Sequence, residues 1–155
     1  MNLTQTEAII AGGIIGGALA VIGISLLIFY ILLVIAEWKI FKKAGEAGWK
    51  SLIPIYNAYI VFKISGMKKW FWITIATSCV VAIIGVAVGQ NSQTANVISI
   101  INGIFNICVA IAVNNKLAKA FGKGIGYTIG LILLPNIFTL ILGFGSAKYV
   151  GIEEQ

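Results

Sequence analysis

Residues 8–36, AIIAGGIIGGALAVIGISLLIFYILLVIA, run for twenty-nine positions without a charge. A helix of that length, rising about 1.5 Å per residue, exceeds the roughly 30 Å hydrocarbon core of a bilayer. The first element therefore reads as a spanning helix that tilts or protrudes. It does not read as a cleaved signal peptide, because Glu7 and no lysine precede it and the apolar run is about twice the usual signal length. Composition agrees over the whole chain. Of 155 residues 59% are hydrophobic and 10% charged, with a mean hydropathy of +1.00, whereas soluble domains carry about 25% charged residues. One small globule cannot hide that much apolar surface, so residues 1–155 read as a single integral membrane domain.

Working outward from the first span, further apolar runs cover about residues 70–88, 97–113 and 125–144, the last with a kink expected at Pro135. Residues 89–96, GQNSQTAN, read as a short turn in water. The expected fold is an all-α membrane protein of four transmembrane helices, with a short interfacial or re-entrant helix within residues 49–66 between the first and second spans. Residues 51–62 are apolar but would extend only about 18 Å, too short to cross.

All positive charge comes from eleven lysines; Arg, His and Asp are absent. Ten of the lysines fall in the two segments joining spans one to two and three to four. The positive-inside rule then puts those segments in the cytoplasm and both termini outside, with Glu7, Glu153 and Glu154. Without arginine the chain lacks the bidentate contacts that read bases and phosphates, so no nucleic-acid partner is expected. Without His or Asp, a serine triad, a carboxylate pair and a zinc-bound water are excluded. No ionisable residue sits at mid-depth in a span, which leaves a proton relay nothing to titrate. Cys79 and Cys108 lie in apolar runs, where thiols pack as small hydrophobes. No cofactor, metal or catalytic residue is expected.

Four groups of residues stand out. Gly12, Gly16, Ala20 and Gly23 leave one stripe of the first helix without bulky side chains. The stripe suits packing inside the bundle, or a face for self-association or for another membrane protein. Ser99, Asn102 and Asn106 share a face of the third span, and amides in hydrocarbon need partners. They fit interhelical hydrogen bonds or a hydrated pathway. Lys39, Lys42, Lys43, Lys50, Lys116, Lys119 and Lys123 form an inner collar suited to anionic lipid headgroups. Trp38, Trp49, Tyr56, Tyr59 and Trp70 have the amphipathic rings of interfacial anchors. A faint internal echo joins KAGEAGW before Ile53 and Pro54 to KAFGKGIGY before Leu134 and Pro135, with unequal gaps to the proline that argue against a true two-by-two repeat.

The core pattern KAGxxGWxxLIPxYN, with Trp38 and Phe41 before it and Leu117, Ala118, Phe121, Gly122, Lys123, Gly143, Phe144, Gly145 and Tyr149 after it, resembles a family of small bacterial integral membrane proteins known only as a domain of unknown function. The resemblance implies a multi-helix protein of the bacterial inner membrane and brings no activity with it. Some members of that family carry a signal peptidase I label. The residues here do not suit it, because a Ser–Lys dyad needs a lysine of lowered pKa beside an outward serine. The function expected is non-enzymatic association, with itself or with a membrane partner. A small channel or transporter-like permeation pathway along Asn102 and Asn106 is the alternative, and an immunity or receptor role towards membrane-active peptides a further one.

Overall fold

The computed structural model describes residues 3–89 and 92–152, with side chains from residue 12 onward in the first helix. Expectations for the side chain of Glu7, for Gln90 and Asn91, and for Glu153 and Glu154 lie outside the described residues. Six α-helices follow one another: α1 Leu3–Lys43, α2 Pro54–Ile64, α3 Lys68–Val88, α4 Gln93–Ala120, α5 Ile125–Leu133 and α6 Pro135–Phe144, with a 3-10 turn at Gly48–Leu52 ahead of α2. Among the described residues there is no strand. Three helices are long and apolar enough to cross a membrane: Gly12–Lys43, Lys68–Val88 and Gln93–Ala120.

α1 ends because Gly45, at φ 77°, turns the chain while two amides return to the helix: Glu46 N–H donates to the Phe41 carbonyl at 2.8 Å and Gly45 N–H to Lys42 at 3.2 Å. Only glycine takes that left-handed backbone without a Cβ penalty. α4 ends the same way at Gly122, φ 65°, with Lys123 donating to Ala118 and Gly122 to Lys119, both at 2.8 Å. At its other end α4 begins on Ser92, whose Oγ accepts from Ala95 N–H at 3.1 Å.

Beyond α1 the chain climbs back along it. Gly48 lies against the Trp38 indole, where a Cβ would collide with the ring, and Ser51 Oγ sits 3.5 Å from the Val34 carbonyl. Val34 precedes the end of α1 by about 13 Å of helix rise. α2 then descends from Pro54, its first-turn proline needing no donor, until Lys63 meets Glu46 and Ile64 enters the core.

A second fold-back replaces the expected fourth span. Residues 125–144 are not one kinked helix but two, of nine and ten residues, broken at Leu134 (φ −134°, ψ 59°). The Tyr127 hydroxyl donates to the Phe138 carbonyl at 2.7 Å, and their rings stand 5.0 Å apart. In a straight helix those residues would be separated by about 16 Å, so the chain doubles back. Proline removes a helical donor, clashes with the carbonyl four residues earlier and drives its predecessor out of the helical region. Gly130 lets the Phe138 ring close over the reversal.

The fold-back changes where the chain finishes. Val150 N–H donates to the Ala120 carbonyl at 2.8 Å and the Tyr149 hydroxyl to Ile64 at 3.0 Å. Residues up to 152 therefore sit at the end of the bundle where α1 and α4 end, not at the opposite end as four crossings require, and Lys148 joins the other ten lysines there. The core lies at this end too: Phe41, Ile60 and Leu142 are buried completely or nearly so, packed with Ile40, Ile64, Leu117, Ala118, Phe121 and Leu131. α6 packs on α1 so closely that a Cβ on Gly143 would stand 2.6 Å from the Ala36 backbone. Away from this end, α1 from Gly12 to Leu32 is exposed all round.

Gly143→Val should therefore force α6 off α1 and lower stability by about 1–3 kcal/mol, the usual size for overpacking. Gly126→Ala, whose added Cβ meets nothing within 4 Å, should leave a thermal melt in detergent unchanged or slightly raised.

Candidate functional site

The small-residue stripe remains open. An added Cβ at Gly12, Gly16 or Gly23 would meet nothing within 4 Å, and Ala20 is exposed. Packing inside the bundle, one of the two readings of this stripe, is thus not what the fold does with it. From Gly12 onward the face is continuous along α1 and meets no other part of the chain among the described residues.

The polar stripe faces a groove between α3 and α4. Ser99 and Asn102 line an open cavity of about 410 Å³ with Ser78 and Gly85. Asn106 lines a second, of about 430 Å³, with Thr74, Asn114 and the apolar side of α2. Among the described residues these side chains make bonds within their own helices: Asn106 Nδ2 donates to the Asn102 carbonyl at 2.8 Å, and Thr74 and Thr77 donate to carbonyls within α3. One turn of helix supplies a nearer acceptor than the neighbouring helix does. Cys79 and Cys108 are both free and exposed.

The collar divides into lysines with structural partners and lysines without them. Lys43 Nζ donates to the carbonyls of Leu142 and Gly145 at 2.6 and 2.7 Å, closing the C-terminus of α6, whose last carbonyls have no helical donor. Lys50 and Lys63 hold the two oxygens of Glu46 at 2.8 and 2.5 Å. Hydrogen bonds from Lys50 and then Lys63 keep the Glu46 carboxyl below its ordinary range, and the bond to Glu46 raises Lys63. Burial, with Glu46 nearby, pushes the Tyr149 phenol up, and its hydroxyl donates to Ile64. By contrast Lys39, Lys42, Lys116 and Lys119 are exposed. Lys39 stands 4.3 Å from the Phe144 ring, Lys42 5.9 Å from Trp38 and Lys123 6.0 Å from Tyr127.

The aromatic anchors divide in the same way. Trp49 and Tyr56 are exposed neighbours 6.0 Å apart, whereas Tyr59 packs between Phe71 at 5.3 Å and Trp72 at 6.4 Å. Trp38 covers Gly48, and Trp70 faces Phe105 at 6.3 Å. Residues that the sequence reading gave no site role complete the collar. Asn57 Nδ2 donates to Glu37 Oε2, tying α2 to α1, and the buried Thr128 lies 3.5 Å from Asn115, tying α5 to α4. The polar residue types were visible, but their pairing over long separations was not. Among the described residues no three His, Cys, Asp or Glu side chains converge on a metal-sized space.

A family model described as a family of unknown function (DUF5684) matches residues 49–152, and the chain belongs to that family. No curated protein and no solved structure matches it.

The collar predicts a pH profile. A carboxyl depressed on folding stabilises fully above its unfolded pKa and loses that contribution as pH falls through the lower folded value. For Glu46 the loss begins below the ordinary carboxylate value of 4.5. Lys63, raised above 10.5, stabilises below that value and loses its contribution as pH rises through the higher folded one. Glu46→Gln should flatten part of the acid limb of a stability–pH curve and cost less than about 1 kcal/mol at pH 7, since the pair is partly solvated.

Proposed function

We propose that this protein is a non-enzymatic component of the bacterial cytoplasmic membrane that acts by associating with a second copy of itself through the vacant face of α1. The observation that carries this is the open space at Gly12, Gly16 and Gly23 along a helix that crosses the outer half of its path alone. Small residues let two helix backbones approach closely, and van der Waals packing, not the hydrophobic effect, drives association in lipid. Another membrane protein with a small-residue face would fit the same stripe. A permeation path along Asn102 and Asn106 would need a second wall, because both cavities of the α3–α4 groove are open, and a second copy could supply one.

The topology that accompanies this reading has three crossings: α1 outside to inside, α3 back, α4 inside again. Two short hairpins, Gly48–Ile64 and Ile125–Phe144, then dip into the inner leaflet with Ile53–Pro54 and Leu134–Pro135 at their tips. All eleven lysines would lie in the cytoplasm, a fuller agreement with the positive-inside rule than four crossings give. Each hairpin keeps its backbone bonds local, as lipid-facing segments must.

Two measurements test this. Energy transfer between labelled copies in bilayers should report a dimer, and Gly16→Ile with Gly23→Ile should weaken it at least tenfold; a monomer at all protein-to-lipid ratios, with no partner cross-linked in cells, sinks the association. On a background with Cys79 and Cys108 replaced by Ala, Ser146→Cys and Lys68→Cys should be labelled by an impermeant thiol reagent from the same side. Labelling from opposite sides refutes three crossings.

A further inference from the structure

The two halves of the chain are built alike. A constant sequence offset carries Lys39 to Lys116, Ile40 to Leu117, Lys42 to Lys119, Gly45 to Gly122 and Ser51 to Thr128. Each matched pair has the same setting. Ile40 and Leu117 are buried in the one core, and Gly45 and Gly122 make the same left-handed turn with the same two returning amides. Ser51 and Thr128 are buried hydroxyls directed at the long helix that precedes them. Each unit is a long helix, a glycine turn, a return and a proline-started helix; the return is a five-residue 3-10 turn in the first and the nine-residue α5 in the second, which accounts for the unequal gaps to the proline. α2 of the first unit packs on α4 of the second, and α6 of the second on α1 of the first, the exchange expected of two units about an axis along the bundle.

Two charged positions recruited into internal contacts in the first unit are not kept in the second. Lys43, which closes α6, matches Ala120, and Glu46, which holds Lys50 and Lys63, matches Lys123. Lys39 with Lys42 and Lys116 with Lys119 are the same in both, although all four side chains are exposed and none is in an ion pair among the described residues. Spacing of three puts each pair on one face of a helix, with Cβ atoms roughly 5–6 Å apart, a separation at which two ammonium groups bracket one phosphodiester.

We propose that the lysine end carries two equivalent binding sites for the headgroup of an anionic phospholipid, one at the foot of α1 formed by Lys39 and Lys42, the other at the foot of α4 formed by Lys116 and Lys119. The inference rests on the reading that this end lies at headgroup depth, where a lipid phosphate rather than a free anion reaches the foot of a spanning helix. Phe144 beneath Lys39 and Trp38 beside Lys42 give the first site an apolar wall for the upper acyl chain or glycerol. Lys68 and Lys69, equally cationic but adjacent on α3 and without a counterpart in the second unit, form no such site.

Native mass spectrometry of the full chain titrated with phosphatidylglycerol tests the proposal, because it counts lipids per protomer whether or not α1 associates. The wild type should retain two tightly held lipids. Lys39→Ala with Lys42→Ala should retain one, Lys116→Ala with Lys119→Ala one, and the four together none. Each lost site should be weakened about thirty-fold, the size expected from two surface lysines. Lys68→Ala with Lys69→Ala should retain two, as should arginine at all four site positions. A wild-type count of one, or of four or more held equally, overturns the proposal without any variant. Equal loss in the Lys68 and Lys69 variant overturns it as a diffuse charge effect, and displacement of the lipid by millimolar inorganic phosphate overturns the assignment to a lipid headgroup.

Discussion

Four helices end within one layer of this molecule, and each end leaves carbonyl groups that low-dielectric surroundings will not tolerate unpaired. The arrangement of the lysine end follows from how those groups are satisfied. Gly45, Gly66 and Gly122 turn the chain so that its own amides return to α1, α2 and α4. α6 has no such glycine turn and is closed instead by Lys43 from the far end of the sequence. Tyr149 adds a donor to α2. Because Lys43 of α1 closes α6 and Tyr149, beyond α6, reaches α2, these two caps also fix the helices against one another, and the core around Phe41 and Leu142 fills the space between them.

Much of this was legible in the sequence and some was not. The first span declared itself by length alone, since no soluble role fits twenty-nine uncharged residues. Gly45 and Gly122 stood in the quoted motifs, but that each ends a helix in a left-handed turn is read from the structure. The reversal at Leu134 was not legible, because a proline in an apolar run of twenty residues more often kinks a spanning helix than folds it back. What decides between the two here is tertiary: Gly130 accepts the Phe138 ring and Tyr127 reaches the Phe138 carbonyl. Lys148 was the available warning. Four crossings strand it away from the other lysines, and three do not.

The candidate sites show the same division. Gly12, Gly16, Ala20 and Gly23 were recognisable as a small-residue face, but a sequence does not say whether such a face is occupied within the chain. Lys43 looked like its neighbours Lys39 and Lys42, yet one is an internal cap and the others face outward, a difference set by which carbonyls the fold brings within reach. For the Asn102 and Asn106 stripe the sequence left interhelical bonds or a hydrated pathway open, and the structure gives the Asn106 amide an acceptor one turn away in its own helix.

The cap on α6 also bears on the order in which the protein is made. Lys43 meets acceptors 99 and 102 positions later in the chain, so α1 leaves the ribosome long before its terminus has anything to hold. Until residues 142–145 have been synthesised, the Lys43 ammonium lacks both of these acceptors. Closure of α6 is then a late event: a chain interrupted before residue 142 would keep the Asn57–Glu37 tie and the packing of α2 on α4, but would lack the packing of α6 on α1 and leave Lys43 without either acceptor.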